Sequence, residues 1–217
     1  MSAAHDLTIV HLMRHGEVEN PDKILYGRLP GYHLSELGRQ MAEMVATSVK
    51  DRDITYLVAS PLERAQETAE PLAAKLGLPV QLDDRLIEAD NKFQGLTVGV
   101  GDGALRNPRY WRHLWNPFTP SWGEPYVAVS RRMRFAVADA VRQARGHEAV
   151  LVSHQMPIWV SRLAAEHRPF VHDPRRRECS LASLTSLIYD QDGRMLSVSY
   201  SEPAADLLPG ASTIPGA

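Results

Sequence analysis

Leu7-Thr8-Ile9-Val10-His11-Leu12-Met13-Arg14-His15-Gly16-Glu17 is the stretch that decides the fold. Its first seven residues form a nearly unbroken apolar run, the pattern of a strand covered on both faces, and the run stops on an arginine and a histidine. In an open α/β sheet, ligands bind at the C-terminal ends of the strands. Two other segments repeat the grammar. Tyr56-Leu57-Val58-Ala59 leads into Ser60-Pro61-Leu62-Glu63-Arg64, and Ala149-Val150-Leu151-Val152 leads into Ser153-His154. Three buried-strand patterns thus each deliver a cationic or imidazole side chain.

The segments between them read as helices and turns. A polar loop with Asn20, Pro21, Gly27, Pro30 and Gly31 follows the first strand, and from Ser35 the residues Leu37, Met41, Met44, Val45 and Val49 recur at helical spacing. Ser60-Pro61-Leu62-Glu63 reads as a helix start, with serine as N-cap, proline at the first helical position and glutamate completing a capping box. Arg64 then lies in a first turn, where the helix dipole already favours an anion, so an arginine there points to an anionic ligand.

Gly77-Leu78-Pro79 ends this helix, Val80-Gln81-Leu82 reads as a short strand, and Asn91 to Pro125 loses periodicity while holding three of the four tryptophans. Long irregular insertions are usually functional or disordered, and this one is a candidate lid. Tyr126 to Ala144 reads as helix, Glu148 to Val152 as strand and Pro157 to Ala165 as a short helix. Leu181 to Tyr189 and Met195 to Tyr200 read as a closing hairpin, and a tail from Pro203 is expected to be loosely held.

With 217 residues, 44% apolar and 23% charged, the chain suits one catalytic domain spanning residues 1–217. A formal charge of −2 gives no general attraction to nucleic acid or to an anionic membrane, so anion binding has to be local. Cys179 is the only cysteine, which excludes an intrachain disulfide, and the N-terminal apolar stretch is too short for a signal or a span. A cytoplasmic protein acting on a small molecule is expected, and the sequence carries no signal for an oligomeric state.

Two arginines and two histidines at one sheet edge suit a dianionic phosphoryl group, because guanidinium forks match phosphate oxygens in geometry and charge. A neutral imidazole aimed at phosphorus is a nucleophile capable of forming a phosphohistidine, and the remaining cations stabilise the equatorial oxygens. No metal and no organic cofactor is needed. A zinc site on His15 and His154 ranks below this reading, since no close-spaced ligand set accompanies them and nearby arginines repel a cation.

These residues resemble the histidine phosphatase superfamily, the phosphoglycerate mutase-like family, across roughly residues 7–200. Arg14-His15-Gly16 is similar to its signature, Leu34-Ser35-Glu36-Leu37-Gly38-Arg39 to its entry into the first helix, Ser60-Pro61-Leu62-Glu63-Arg64-Ala65 to its second arginine element, and Ser153-His154 to its late histidine. The resemblance implies a mixed, mainly parallel sheet sandwiched by helices. It implies His15 as nucleophile, Arg14, Arg64 and His154 as phosphate ligands, and Glu88, in Leu86-Ile87-Glu88, as proton donor to the leaving alkoxide. The activity implied is a metal-independent phosphomonoesterase for a small phosphate ester. A phosphoglycerate mutase-type phosphotransferase and a non-catalytic phospho-ligand module are the alternatives. The chain departs from the pattern at Asn20, Gln155 and the segment after Glu88.

Asn20, Tyr26, Arg28, Arg106 and Arg109 are candidates for the organic part of the substrate, the last two beside Tyr110, Trp111, Arg112, His113 and Trp115 in the insertion. Arg175-Arg176-Arg177, flanked by Asp173 and Glu178, reads as a solvated turn, and Cys179 and His11 as structural.

Overall fold

The computed structural model describes residues 7–97 and 122–211. Six strands form one sheet: β1 (Thr8–Arg14), β2 (Ile54–Ala59), β3 (Gln81–Leu82), β4 (Glu148–Ser153), β5 (Leu184–Tyr189) and β6 (Met195–Ser201), in the spatial order β3-β2-β4-β1-β5-β6. β3, β2, β4 and β1 run parallel, β5 pairs antiparallel with β1, and β6 closes the sheet antiparallel to β5. The expected α/β class with a mixed, mainly parallel sheet is what the chain adopts.

The apolar runs are continuous because both faces are covered. Val10 and Leu12 of β1, Val58 of β2, and Ala149 and Leu151 of β4 pack on one side against Val129, Met133, Ala136 and Ile158. These belong to α3 (Tyr126–Gln143) and α4 (Gln155–Ala165). Met13, Leu57, Ala59, Val150 and Val152 point the other way, against Met41, Val45, Ala65, Ala69 and Leu72. Those residues lie on α1 (Glu36–Val49) and α2 (Glu63–Leu76). Each fully buried Leu or Val contributes about 1.5–3 kcal/mol relative to exposure. This two-sided burial holds the strand ends rigid.

Three expectations shift. α2 begins at Glu63, with Leu62 still extended at its N-cap position and no side-chain cap, so Ser60 is not the capping residue. The first hairpin strand starts at Leu184 because residues 180–183 form a turn, with Ala182 in the left-handed region at φ 53°. The tail is packed as far as Ala211. Ala204 is buried, a 3-10 turn spans Ala205–Gly210, and Leu207 and Leu208 cover apolar side chains of the α1/α2 layer. Among the described residues no helix is long and apolar enough to cross a membrane.

His11 is structural, as expected. Its ring nitrogens pair with the Ser186 hydroxyl at 2.6 Å and Glu148 Oε2 at 2.8 Å, and Arg52 donates to both Glu148 oxygens at 2.6 and 3.0 Å. Burial alone would raise the Glu148 carboxyl, but the hydrogen bonds from His11 and Arg52 outweigh it and hold the group down at about 2. A depressed carboxylate stabilises the fold above its unfolded value and loses that contribution as pH falls towards its folded value. Glu148→Gln is therefore expected to lower stability at pH 7 and to flatten the loss of stability between about pH 4.5 and 2, read by urea denaturation across that range. An equally steep acid limb in the variant would contradict the assignment.

Candidate active site

Parallel pairing assembles the site. β1 and β4 are in register with Arg14 opposite Ser153, so the next residues, His15 and His154, emerge side by side. The His15 N–H donates to the Ser153 carbonyl at 3.1 Å, and the two imidazole centroids lie 5.1 Å apart at 58°. β2 pairs with the other edge of β4, and the Ser60 N–H donates to the Val152 carbonyl at 2.9 Å. Ser60 Oγ thereby sits 2.8 Å from His154 Nε2, which is the partner it takes in place of a helix N-terminus.

His15 is fully buried, and its Nδ1 lies 2.7 Å from the Gly16 carbonyl. A carbonyl only accepts, so Nδ1 carries the proton and the neutral ring presents the lone pair on Nε2. Burial holds the imidazole well below its ordinary value, and Arg64 and Arg14 push it further down. His154 is held down in the same way, by burial and then by Arg64 and His15. The loop backbone is fixed from several sides. The Gly16 N–H donates to Thr68 Oγ1 at 3.1 Å, the Ala182 N–H donates to the His15 carbonyl at 3.2 Å, and the Arg14 N–H donates to the Ser183 carbonyl at 3.1 Å. The start of α1 presses so closely on this loop that a β-carbon on Gly38 would stand 2.0 Å from the Glu17 carbonyl oxygen.

Arg14 donates through one terminal nitrogen to the Cys179 carbonyl at 2.7 Å. Arg64 is fully buried in the first turn of α2, donates to the Gly27 carbonyl at 2.6 Å and lies over the Tyr26 ring at 4.7 Å. Glu88 is 1% exposed, and one of its oxygens accepts the Ala89 N–H at 2.7 Å. Burial raises its carboxyl above the ordinary range, against the lowering effects of the Ala89 N–H, Arg64, Arg14 and Arg132. Its backbone is clamped. Arg28 Nε donates to the Glu88 carbonyl at 2.7 Å, Ser153 Oγ donates to the Leu86 carbonyl at 2.6 Å, and Arg132 donates to the Arg85 carbonyl at 2.6 Å.

His15, His154, Arg14, Arg64 and Glu88 therefore come together, while the outer candidates fall elsewhere. Asn20 spends both ends of its amide on the Ile24 backbone, at 2.9 Å each, and closes its own loop. Tyr26 supports Arg64 from beneath. Arg28 is committed to the Glu88 carbonyl and, at 2.8 Å, to Glu124. Arg106 and Arg109 lie outside the described residues, as does most of the insertion, whose flanks are bridged through Asn91 to Gly123 and through Thr97 to Ile24. Ser60, Thr68 and Arg177 are additions to the neighbourhood. Arg177 does not share the solvated turn expected of the arginine triplet but is largely covered, within electrostatic reach of Glu88 and Arg14.

Buried polar atoms nearly always have hydrogen-bond partners. Among the described residues, Arg14 Nε, His15 Nε2, Arg64 Nε and Nη1, Glu88 Oε2 and His154 Nδ1 are buried with none, and only Trp159 Nε1 and Thr185 Oγ1 share that condition elsewhere. Such a concentration of unpartnered cationic and imidazole nitrogens, with one protonatable oxygen among them, fits a tetrahedral oxyanion carrying a leaving group.

A sheet edge of this kind defines a class of phosphoryl-handling α/β proteins. Residues 10–201 match the histidine phosphatase superfamily (branch 1), and the chain belongs to that family. It is 58% identical over 198 residues to the uncharacterized protein Rv0525 of Mycobacterium tuberculosis, covering 91% of this chain and 98% of that one. A probable phosphoglycerate mutase, GpmB of Escherichia fergusonii, is 32% identical over 155 residues, covering 67% of this chain and 68% of its own. Among solved structures, the mycobacterial glucosyl-3-phosphoglycerate phosphatase Rv2419c superposes with a TM-score of 0.71 at 29% identity, covering 90% of this chain and 98% of that one.

Two measurements test the geometry. Histidine NMR is expected to show His15 and His154 neutral from pH 8 down to at least about pH 6.5, the ordinary midpoint. A midpoint at or above that value for either ring contradicts the buried, arginine-flanked placement. Gly38→Ala is expected to cost about 1–3 kcal/mol by overpacking against the Glu17 backbone, seen as a lower urea midpoint with an unchanged slope.

Proposed function

We propose that the protein is a metal-independent phosphomonoesterase working through a covalent phosphohistidine on His15. The gathering of unpartnered buried donors around His15 Nε2 carries this reading. The family, and the phosphatase among its similar solved structures, support it as well.

The Nε2 lone pair of His15 attacks phosphorus in line with the ester oxygen, forming the P–N bond as the P–O bond breaks. Arg14 and Arg64 hold the equatorial oxygens with the nitrogens that have no protein partner. With the Ser60 hydroxyl donating to His154 Nε2, the proton on His154 Nδ1 faces the transferring group. Glu88, kept protonated by burial, gives its proton to the departing alkoxide, and the resulting carboxylate then deprotonates the water that cleaves the phosphohistidine. The leaving oxygen needs that proton most when it belongs to an alkyl alcohol. Phosphotransfer to a second hydroxyl in place of water uses the same residues, and the similarity to a probable phosphoglycerate mutase keeps it as the second reading.

His15→Ala is expected to abolish both turnover and acid-labile labelling of the protein by phosphate, and a variant that keeps either one refutes the nucleophile. Glu88→Gln is expected to lower kcat for an alkyl phosphate by about 100- to 10,000-fold and to slow the first burst of p-nitrophenolate release from p-nitrophenyl phosphate much less. For the parent protein, activity on the alkyl ester falls as pH rises through the raised value of Glu88, and the variant loses that basic limb. Measuring free phosphate against isomer formation separates hydrolysis from phosphotransfer.

A further inference from the structure

Among the described residues, only three arginines that are not exposed lack a carboxylate partner: Arg14, Arg64 and Arg177. The other covered arginines, Arg28, Arg85, Arg132 and Arg162, each have one. Two of the three form the phosphoryl site, and the third shares their condition without belonging to it. Neutralising a covered guanidinium is impossible at ordinary pH, so a counter-charge has to come from somewhere.

The hydrogen bonds of Arg177 go only to neutral acceptors. Its Nε donates to His172 Nε2 at 2.8 Å and its Nη1 to Gln155 Oε1 at 3.3 Å. His172 Nδ1 in turn donates to the Phe170 carbonyl at 2.6 Å, which leaves its Nε2 unprotonated to accept from Arg177. Burial, acting first, keeps that imidazole below its ordinary value, in line with a neutral ring. The guanidinium is thereby oriented without being discharged. Gln155 follows His154 directly in the chain, and Tyr126, Glu88, Cys179 and Arg14 are the groups that act on Arg177 electrostatically. Tyr126 and Glu88 also line one small cleft together with Leu25, Trp122 and Met156. Arg177 is thus bonded to the residue that follows His154 and acts electrostatically on Glu88 and Tyr126, two residues that line this cleft.

We infer that Arg177 is a specificity-determining residue that binds a carboxylate on the alcohol portion of the substrate, so that the preferred esters are phosphorylated hydroxy acids. The inference rests on the phosphatase reading above and narrows its substrate class. A monoanion fits better than a second phosphoryl group, because a single guanidinium is on offer here, whereas the phosphoryl site assembles two arginines and two imidazoles. The fork of a single Arg matches the two oxygens of one carboxylate in geometry as well as charge.

The test compares O-phosphoserine with O-phosphoethanolamine, which differ only in the carboxylate, and uses p-nitrophenyl phosphate as a third substrate. The parent protein is expected to prefer phosphoserine. Arg177→Gln is expected to reduce kcat/KM for phosphoserine by about 10- to 100-fold, mainly through KM, and to leave phosphoethanolamine and p-nitrophenyl phosphate within about twofold. Arg177→Lys is expected to fall between, keeping the charge and losing the fork.

A parent protein that cleaves p-nitrophenyl phosphate without preferring phosphoserine overturns the inference and leaves the phosphatase reading standing. So does an Arg177→Gln variant that loses activity on all three substrates alike, which would make Arg177 part of the phosphoryl site or of the fold, or one that changes none of them. A parent protein that cleaves none of the three overturns the phosphatase reading, and the inference with it.

Discussion

The in-register parallel pairing of β1 with β4 is the constraint on which everything else depends. Backbone hydrogen bonding places Arg14 opposite Ser153, and the residue that follows each strand is a histidine. A slip of one residue would turn every side chain of β1 to the other face of the sheet, and both faces are packed against helices, so packing rejects it. The 5.1 Å separation of the imidazoles is thus secured by the hydrophobic layers rather than by contacts between the rings. Pairing of β2 on the far edge of β4 then brings Ser60 to His154 through the same backbone ladder.

Within this frame the electrostatic character of the site follows from burial. Desolvation disfavours every charged form, so imidazoles are driven towards neutrality and a carboxyl towards its protonated state. Guanidinium groups cannot follow, because they hold their protons in any protein environment. One environment therefore sorts its residues by chemistry: Arg14 and Arg64 stay cationic, His15 and His154 are held towards neutrality, and Glu88 is pushed towards its protonated form. The two arginines reinforce the effect on the imidazoles and oppose it at Glu88, where burial prevails.

Strands and central site residues were legible in the sequence because both depend on local pattern: apolar runs of strand length, each stopped by a cation or an imidazole. The order of the strands was not, since hydrogen-bonded neighbours such as β1 and β4 are separated by well over a hundred residues. Ser60 shows how a local rule loses to a tertiary one. Its surroundings spell a capping box, yet Leu62 stays extended and the hydroxyl pairs with His154. Arg28 and Asn20 stand in a polar loop where sequence cannot distinguish a side chain facing ligand from one bonded to backbone. Arg177 was hidden by its neighbours, for Arg175 does pair locally with Asp173 and gives the triplet the look of a solvated turn.

Glu124 has a wider significance than its two ion pairs suggest. It holds Arg28, which grips the Glu88 carbonyl, and Arg132, which grips the Arg85 carbonyl, so one carboxylate ties the entry to α3 to both sides of the segment that carries the acid. It is also only a few residues from one end of the long insertion. The backbone around His15 is moored through Thr68, Ser153 and Ala182, of which Ser153 also holds the Leu86 carbonyl. Glu88 and His15 thus share one tether, Ser153, and differ in the others, so a change at Glu124 acts on the Glu88 segment while the sheet keeps His15 in place.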